Sequence, residues 1–296
     1  RTVKRLQLAW LAVRDLPLRI AHARPHLWLS PMQVEDIACL SSVGVVLSVA
    51  HRAAIQSSFP LLKTNYKFSS VCFLGKLTGK DGDYLLAFGV EGSLGAKKYF
   101  FCKAGVSWAQ LPVPTEETKA LVAKLPAALA FSGDITTETE IPAPPPAEGE
   151  EPAEPSKLTE EQRLAVVVAE LDAAAAIAPA GALSLTPAGV VANPTFSGLD
   201  AAGAMSVGSY VLIDQPKAKN VLADATNQAA DFLATADSLV PKGALVTRND
   251  PATGSVTVRN LLYPGAVAFC KPGTPTWGYV YSGNGEKNAD IAFMLP

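Results

Sequence analysis

Acid–base and nucleophilic chemistry near neutral pH is most often built on histidine. This chain has three, His22, His26 and His51, and none after residue 51. A Ser-His-Asp or Cys-His arrangement in the folded body would therefore rest on His51, beside Arg52 in a helical stretch. Zinc ligation meets the same shortage, because Cys39, Cys72, Cys102 and Cys270 are widely spaced and form no C-x-x-C pair. That spacing also speaks against a dense disulfide framework and leans toward a reducing, intracellular setting. Four carboxylates, Glu91, Asp134, Asp214 and Asp290, can be nominated for glycosidase-type work, but their spacing singles out no pair.

Phosphate and calcium loops fare no better. Gly75-Lys76-Leu77-Thr78-Gly79-Lys80-Asp81 has a gap between its glycines one residue short of a phosphate-binding loop. Asp81 also stands where a magnesium-binding Ser or Thr belongs, so a tight hairpin is the better reading. Asp81-Gly82-Asp83 begins like a calcium loop, but residue 92, where the bidentate glutamate belongs, is glycine. Gly283-Asn284-Gly285-Glu286-Lys287 follows a strand pattern with no helix pattern behind it, and reads as a loop. No cofactor or metal is expected.

What remains is a candidate protein interface. Trp277, Tyr279 and Tyr281 share one face of a strand at period two. Rings of this size each bury ~150–250 Å² in a core, and they are also favoured interface anchors. Core is the preferred reading for the stripe, with Asn284, Glu286 and Lys287 on the loop beyond it as the better contact candidates. The alternatives are a β-rich sugar-binding module using Trp277 and Tyr279, or a carboxylate-based hydrolase.

The elements that must position these residues follow from composition and pattern. At 296 residues, 49% hydrophobic and 18% charged, the chain is globular in character. No uncharged apolar run reaches the ~18 residues of a membrane helix. Residues 1–31 carry six Lys/Arg against Asp15 alone, a local balance of +5 that leaves −7 on the rest, given the total of −2. An acidic body of this kind is a poor partner for nucleic acid. Residues 1–31 read as a basic extension, disordered or not native.

Residues 32–137 should form helices followed by a β meander. Val34 to Phe59 reads as helical, in one piece or two: Ile37, Leu40, Val43 and Leu47 recur at three and four, and Ser48 can cap a second helix through Ala54. Runs 71–77, 84–90 and 98–103 are strand-like with Gly-containing turns between them, and Trp108 closes the meander. Residues 138–158 are rich in Pro and Glu and read as a linker or insertion. Residues 159–296 open with a capping box at Thr159 and Gln162. The helix behind it places Leu164, Val167, Val168, Leu171, Ala174 and Ala175 on one face. An Ala-rich stretch, 201–237, is expected to be partly helical. Strand runs 256–262, 266–270 and 277–281 then close the chain, separated by Pro- and Gly-bearing turns. The fold class expected is α+β.

Four blocks of this sequence resemble the radial spoke head protein 9 family of ciliary and flagellar axonemes. They are VCFLGKL with DYLLAFG in the meander, SWAQLPVPTEET after it, GALSLTPAGVVANPTFSGL at 181–199, and NLLYPG followed by WGYVYSGNGEKNADIAFML at the end. Leu74 stands where the family has an aromatic. The resemblance covers most of residues 33–296 apart from the Pro/Glu segment. It implies a non-catalytic axonemal subunit that helps assemble the spoke head. The partners it implies are spoke-head proteins 4 and 6, with the central-pair projections as a transient contact through which dynein-driven motility is controlled. It implies no nucleic acid and no membrane.

Overall fold

In a computed structural model, the protein is described over residues 34–126, 129–141, 156–217, 229 and 231–295. The basic extension at 1–31 and the middle of the Pro/Glu segment lie outside the described residues.

The chain opens with a 3₁₀ helix, Val34–Val43, that buries Val34, Ile37 and Leu40. Helix α1 (Val49–Tyr66) follows, its N-terminus capped where the Ser48 hydroxyl accepts the His51 N–H at 3.1 Å. The pattern predicts helix as far as Phe59, before Pro60, yet the helix continues through Pro60 to Tyr66. Proline inside a helix costs about 3 kcal/mol or more. Here the turns beyond it seat Leu62 against Phe68 and Phe100 and bring the Tyr66 ring to 5.6 Å from Phe68 and 4.9 Å from Phe100. Lys67, in the left-handed region at φ 56°, ends the helix.

The meander is strands β1 (Ser70–Leu77), β2 (Tyr84–Val90), β3 (Lys97–Cys102) and the two-residue β4 (Ala109–Gln110). Helix α2 (Glu116–Val122) starts at a capping box between Thr115 and Thr118. Strands β5 (Glu138–Ile141) and β6 (Ser156–Thr159) pair antiparallel, so the two ends of the expected linker form a ribbon. Ile141 and Leu158 are buried in it, which supplies the apolar anchor that the linker reading lacked.

Helix α3 (Glu160–Ala175) begins at the expected capping box, with Gln162 N–H on Thr159 Oγ1 at 3.4 Å and Thr159 N–H on Gln162 Oε1 at 3.3 Å. Then come β7 (Ile177–Pro179), the hairpin β8 (Leu183–Thr186) and β9 (Gly189–Ala192), and a short helix α4 (Ala201–Met205). Partly helical as expected, the Ala-rich stretch adds 3₁₀ turns at Val207–Ser209 and Ala236–Ser238, but β10 (Tyr210–Pro216) and β11 (Leu233–Thr235) join β7 in a three-stranded sheet. Tyr210, Val211, Leu212 and Ile213 are all buried there, and a continuous apolar run of this length is strand chemistry. Strands β12 (Leu245–Asp250), β13 (Ser255–Asn260), β14 (Ala266–Cys270) and β15 (Trp277–Gly283) follow, with a last turn of helix, α5 (Ile291–Met294).

The two expected β regions form one eight-stranded sheet, ordered β12-β13-β14-β15-β1-β2-β3-β4. All neighbours are antiparallel except β1 and β15, which run parallel with Gly75 opposite Tyr281. A Cβ on Gly75 would lie 2.0 Å from the Tyr281 carbonyl oxygen, so this junction requires glycine. Successive residues point to opposite faces. Phe73, Leu85, Val267, Phe269 and Val280 meet the 3₁₀ helix and Ile55 of α1. Cys72, Leu86, Phe88, Ala268, Tyr279 and Tyr281 meet α3 through Leu164, Val168, Leu171 and Ala175. The sheet is thus covered on both faces, giving three layers.

Candidate interaction surface

Strand β15 carries the aromatic stripe, and the structure buries it. Trp277, Tyr279 and Tyr281 retain 4%, 1% and 1% of their exposure. Tyr279 stacks on Phe88 at 6.3 Å between centroids and donates its hydroxyl to Asp172 at 2.8 Å. Burial, with the Asp172 charge beside it, pushes the Tyr279 hydroxyl well above its ordinary pKa. Tyr281 is pushed up to about 12, chiefly by burial. All three rings are core, with no free face for a partner or a sugar, because their side of β15 packs against α3 and β2.

The loop after β15 sits differently. The Gly285 N–H is held by the Tyr281 hydroxyl at 2.7 Å. Gly283 has no room for a side chain, since a Cβ would meet that same hydroxyl at 2.6 Å. The backbone is thereby pressed onto the core while Asn284 and Lys287 are exposed and Glu286 is half-buried. Asn288 ties the loop to the β13–β14 turn through its N–H on the Leu262 carbonyl at 2.8 Å. The three polar candidates are therefore displayed together on a fixed loop, apart from the buried rings.

Two buried carboxylates on α3 were not anticipated. Asp172, without solvent exposure, accepts the Tyr279 and Tyr99 hydroxyls at 2.8 Å each and pairs with Lys97, whose side chain is 5% exposed. Lys97 also lies 3.7 Å from Asp214. Glu160 accepts the Tyr84 hydroxyl at 2.7 Å and the Ser132 and Gly133 N–H groups at 2.9 and 3.0 Å. Burial alone would raise Glu160, but those donors together outweigh it and hold the carboxyl below its usual range. Arg163 lies 4.2 Å over the Phe131 ring and donates to the Leu129 carbonyl. Both carboxylates are saturated by structural donors, so their chemistry is to fix α3 on β2, β3 and β15. The sequence held a signal for Asp172: it follows Leu171 and precedes Ala175 on the apolar stripe, near a helix C-terminus where the dipole disfavours an acid.

The other nominated groups do not converge. Glu91 pairs with Lys98, Asp134 accepts the Thr136 N–H, and Asp290 precedes α5 with no capping bond. His51 is half-buried in the first turn of α1. Cys72, Cys102 and Cys270 are buried, and burial pushes the Cys72 thiol up to about 12. Among the described residues no group of three or more His, Cys, Asp or Glu is placed to hold a metal, and no helix is long and apolar enough to cross a membrane.

Exposed apolar side chains gather at the chain's end. Phe293 is 90% exposed and Met294 68%. Met294 lines a cavity of about 350 Å³ bounded also by residues 43–45 and by the β13–β14 turn. Sequence reasoning did not single out this corner, although the ending Ala292-Phe293-Met294-Leu295 directly after a polar loop was its signal.

No protein-family model matches the chain. Over 265 residues it is 35% identical to a Homo sapiens protein named radial spoke head protein 9 homolog, covering 86% of this chain and 95% of that relative. The Danio rerio protein of the same name is 37% identical over 264 residues, 85% of this chain and 94% of the relative. The Bos taurus protein, again of that name, is 34% identical with 86% and 95% covered.

Proposed function

This chain belongs to the radial spoke head protein 9 family and with it to the ciliary or flagellar axoneme, and from that premise we propose that it is a non-catalytic structural subunit of the spoke head. In this reading it holds the head together with other spoke-head proteins, those of types 4 and 6 foremost. It helps pass contacts from the central-pair projections to the control of dynein-driven beating.

The observation that carries the reading is the reach of the similarity, 94–95% of each of these relatives rather than one shared segment. The geometry supports it. The buried ionisable side chains of α3 are used up in fixing one helix to one sheet. The polar loop tip and the apolar end segment are displayed on a rigid base, as an assembly subunit needs.

Fractionation of cilia tests this. The protein is expected in the salt-resistant axonemal fraction, co-purifying with spoke components after stronger extraction. Recovery in the detergent-soluble matrix, free of spoke components, contradicts it.

A further inference from the structure

The sheet face beneath the 3₁₀ helix is covered unevenly. Ile37, Leu40 and Ile55 seal its centre over Phe73, Leu85 and Phe269. Toward the β12 edge the cover thins, and Val246 is 45% exposed. Arg259 stands between Val246 and Val267 in register and lines the cavity beside Met294.

Arg259 is the only charged residue lining that cavity, and its Nε is shut off from solvent without a hydrogen-bond partner among the described residues. A guanidinium N–H that has lost water and gained no acceptor is an unsatisfied donor, rare in native folds. The buried Nε stays out of reach, so a carboxylate entering the cavity meets the terminal N–H groups of the guanidinium, whose planar fork suits carboxylates better than a lysine ammonium does. No acidic side chain lines the cavity to repel such a group. The remaining walls combine apolar groups, among them Val45, Leu261, Pro264 and Met294, with the uncharged polar Asn260, Ser282 and Asn288. The volume lies at the low end of the ~300–1,000 Å³ typical of ligand sites, which suits a short side-chain insertion.

We propose that this cavity docks a partner polypeptide of the spoke head through an Asp or Glu carboxylate on Arg259, with a neighbouring aliphatic side chain against Leu261 and Met294. The assignment rests on the spoke-head reading above. The charge of Arg259 fixes the partner's polarity, and the exposed Phe293 and Met294 supply the apolar rim that interfaces favour.

The test returns the full-length chain, with a benzoylphenylalanine photo-crosslinker at Leu261, to ciliated cells lacking the wild-type copy. Mass spectrometry of the crosslinks should give a different axonemal polypeptide, joined beside an acidic residue that neighbours an aliphatic one. Crosslinks only to a second copy of this chain, only to segments without an acidic residue, or none at all overturn the proposal. A synthetic peptide of the crosslinked segment is then titrated against the purified full-length protein. Arg259→Gln should weaken binding about tenfold to hundredfold, as expected for a lost hydrogen bond to a charged group. Met294→Asp, at an exposed position, should weaken it with the melting temperature unchanged, which separates docking from folding. A folded Arg259→Gln protein that binds within about twofold of wild type, the scale of a surface contact, overturns the assignment. A wild-type chain that stays out of spoke heads overturns the broader reading with it. Assembly of wild type and Arg259→Gln alike, with equal peptide binding, defeats only the docking site.

Discussion

Replacing Asp172 by alanine removes the residue on which three elements converge. The side chain is fully buried, and its loss strands the Lys97 ammonium with only Asp214 at 3.7 Å. It also orphans the Tyr99 and Tyr279 hydroxyls, each now 2.8 Å from the carboxylate. Breaking a buried ion pair by deleting one partner costs ~3–5 kcal/mol, and an orphaned buried hydroxyl costs ~1 kcal/mol or more. These effects share one site and do not add in full, so the expected loss is about 4–6 kcal/mol. That is a large share of the ~5–15 kcal/mol that holds a native domain together. Urea unfolding of the full chain, followed by tryptophan fluorescence, reads the loss directly. The double variant Lys97→Met, Asp172→Leu should recover part of it, because no charge is then left buried and unpaired. A loss for Asp172→Ala below about 1 kcal/mol, the scale of an exposed ion pair, would refute the claim that this cluster fixes α3 to the sheet.

Two further outcomes follow from the same packing. Glu160 is held below its ordinary range in the folded state, so its contribution is complete above the unfolded value of ~4.3 and is lost as pH falls through the folded value. Melting temperatures measured downward from about pH 4.3 should therefore fall more steeply for wild type than for Glu160→Gln, and matching slopes would remove Glu160 from the account. Gly75→Ala puts a Cβ 2.0 Å from the Tyr281 carbonyl oxygen at the parallel junction, against backbone that cannot swing away. It should cost at least about 3 kcal/mol or prevent folding, whereas circular dichroism and melting equal to wild type would mean that β1 and β15 do not pair as described.

Local pattern carried much of this fold. The three closing strands, the meander and the capped α3 were readable from turn chemistry, periodicity and the Thr159–Gln162 box, because neighbouring residues decide each of them. The parallel pairing of β1 with β15 was not readable, since it joins residues about 200 positions apart through a backbone contact that leaves only a glycine as its trace. Pro60 misled for a related reason: its local cost is outweighed by Leu62 and Tyr66 packing against the distant Phe100. The Ala-rich segment is partly helical, as its propensity suggests, but which part was not readable: Val211-Leu212-Ile213 had a sheet to join and burial decided. Of the candidate surface, the polar tip at Asn284 and Lys287 was legible from its glycines. Arg259 was not, because an arginine within a strand pattern becomes notable only once its Nε is seen to be buried without an acceptor.

The central claim, that this chain builds the spoke head, is tested most directly by cryo-electron tomography of axonemes from cells that lack it. Averaged spokes should retain their stalks but lose density in the head, and re-expression of the chain should restore that density together with normal beating. Complete spoke heads in axonemes without the protein would contradict the account.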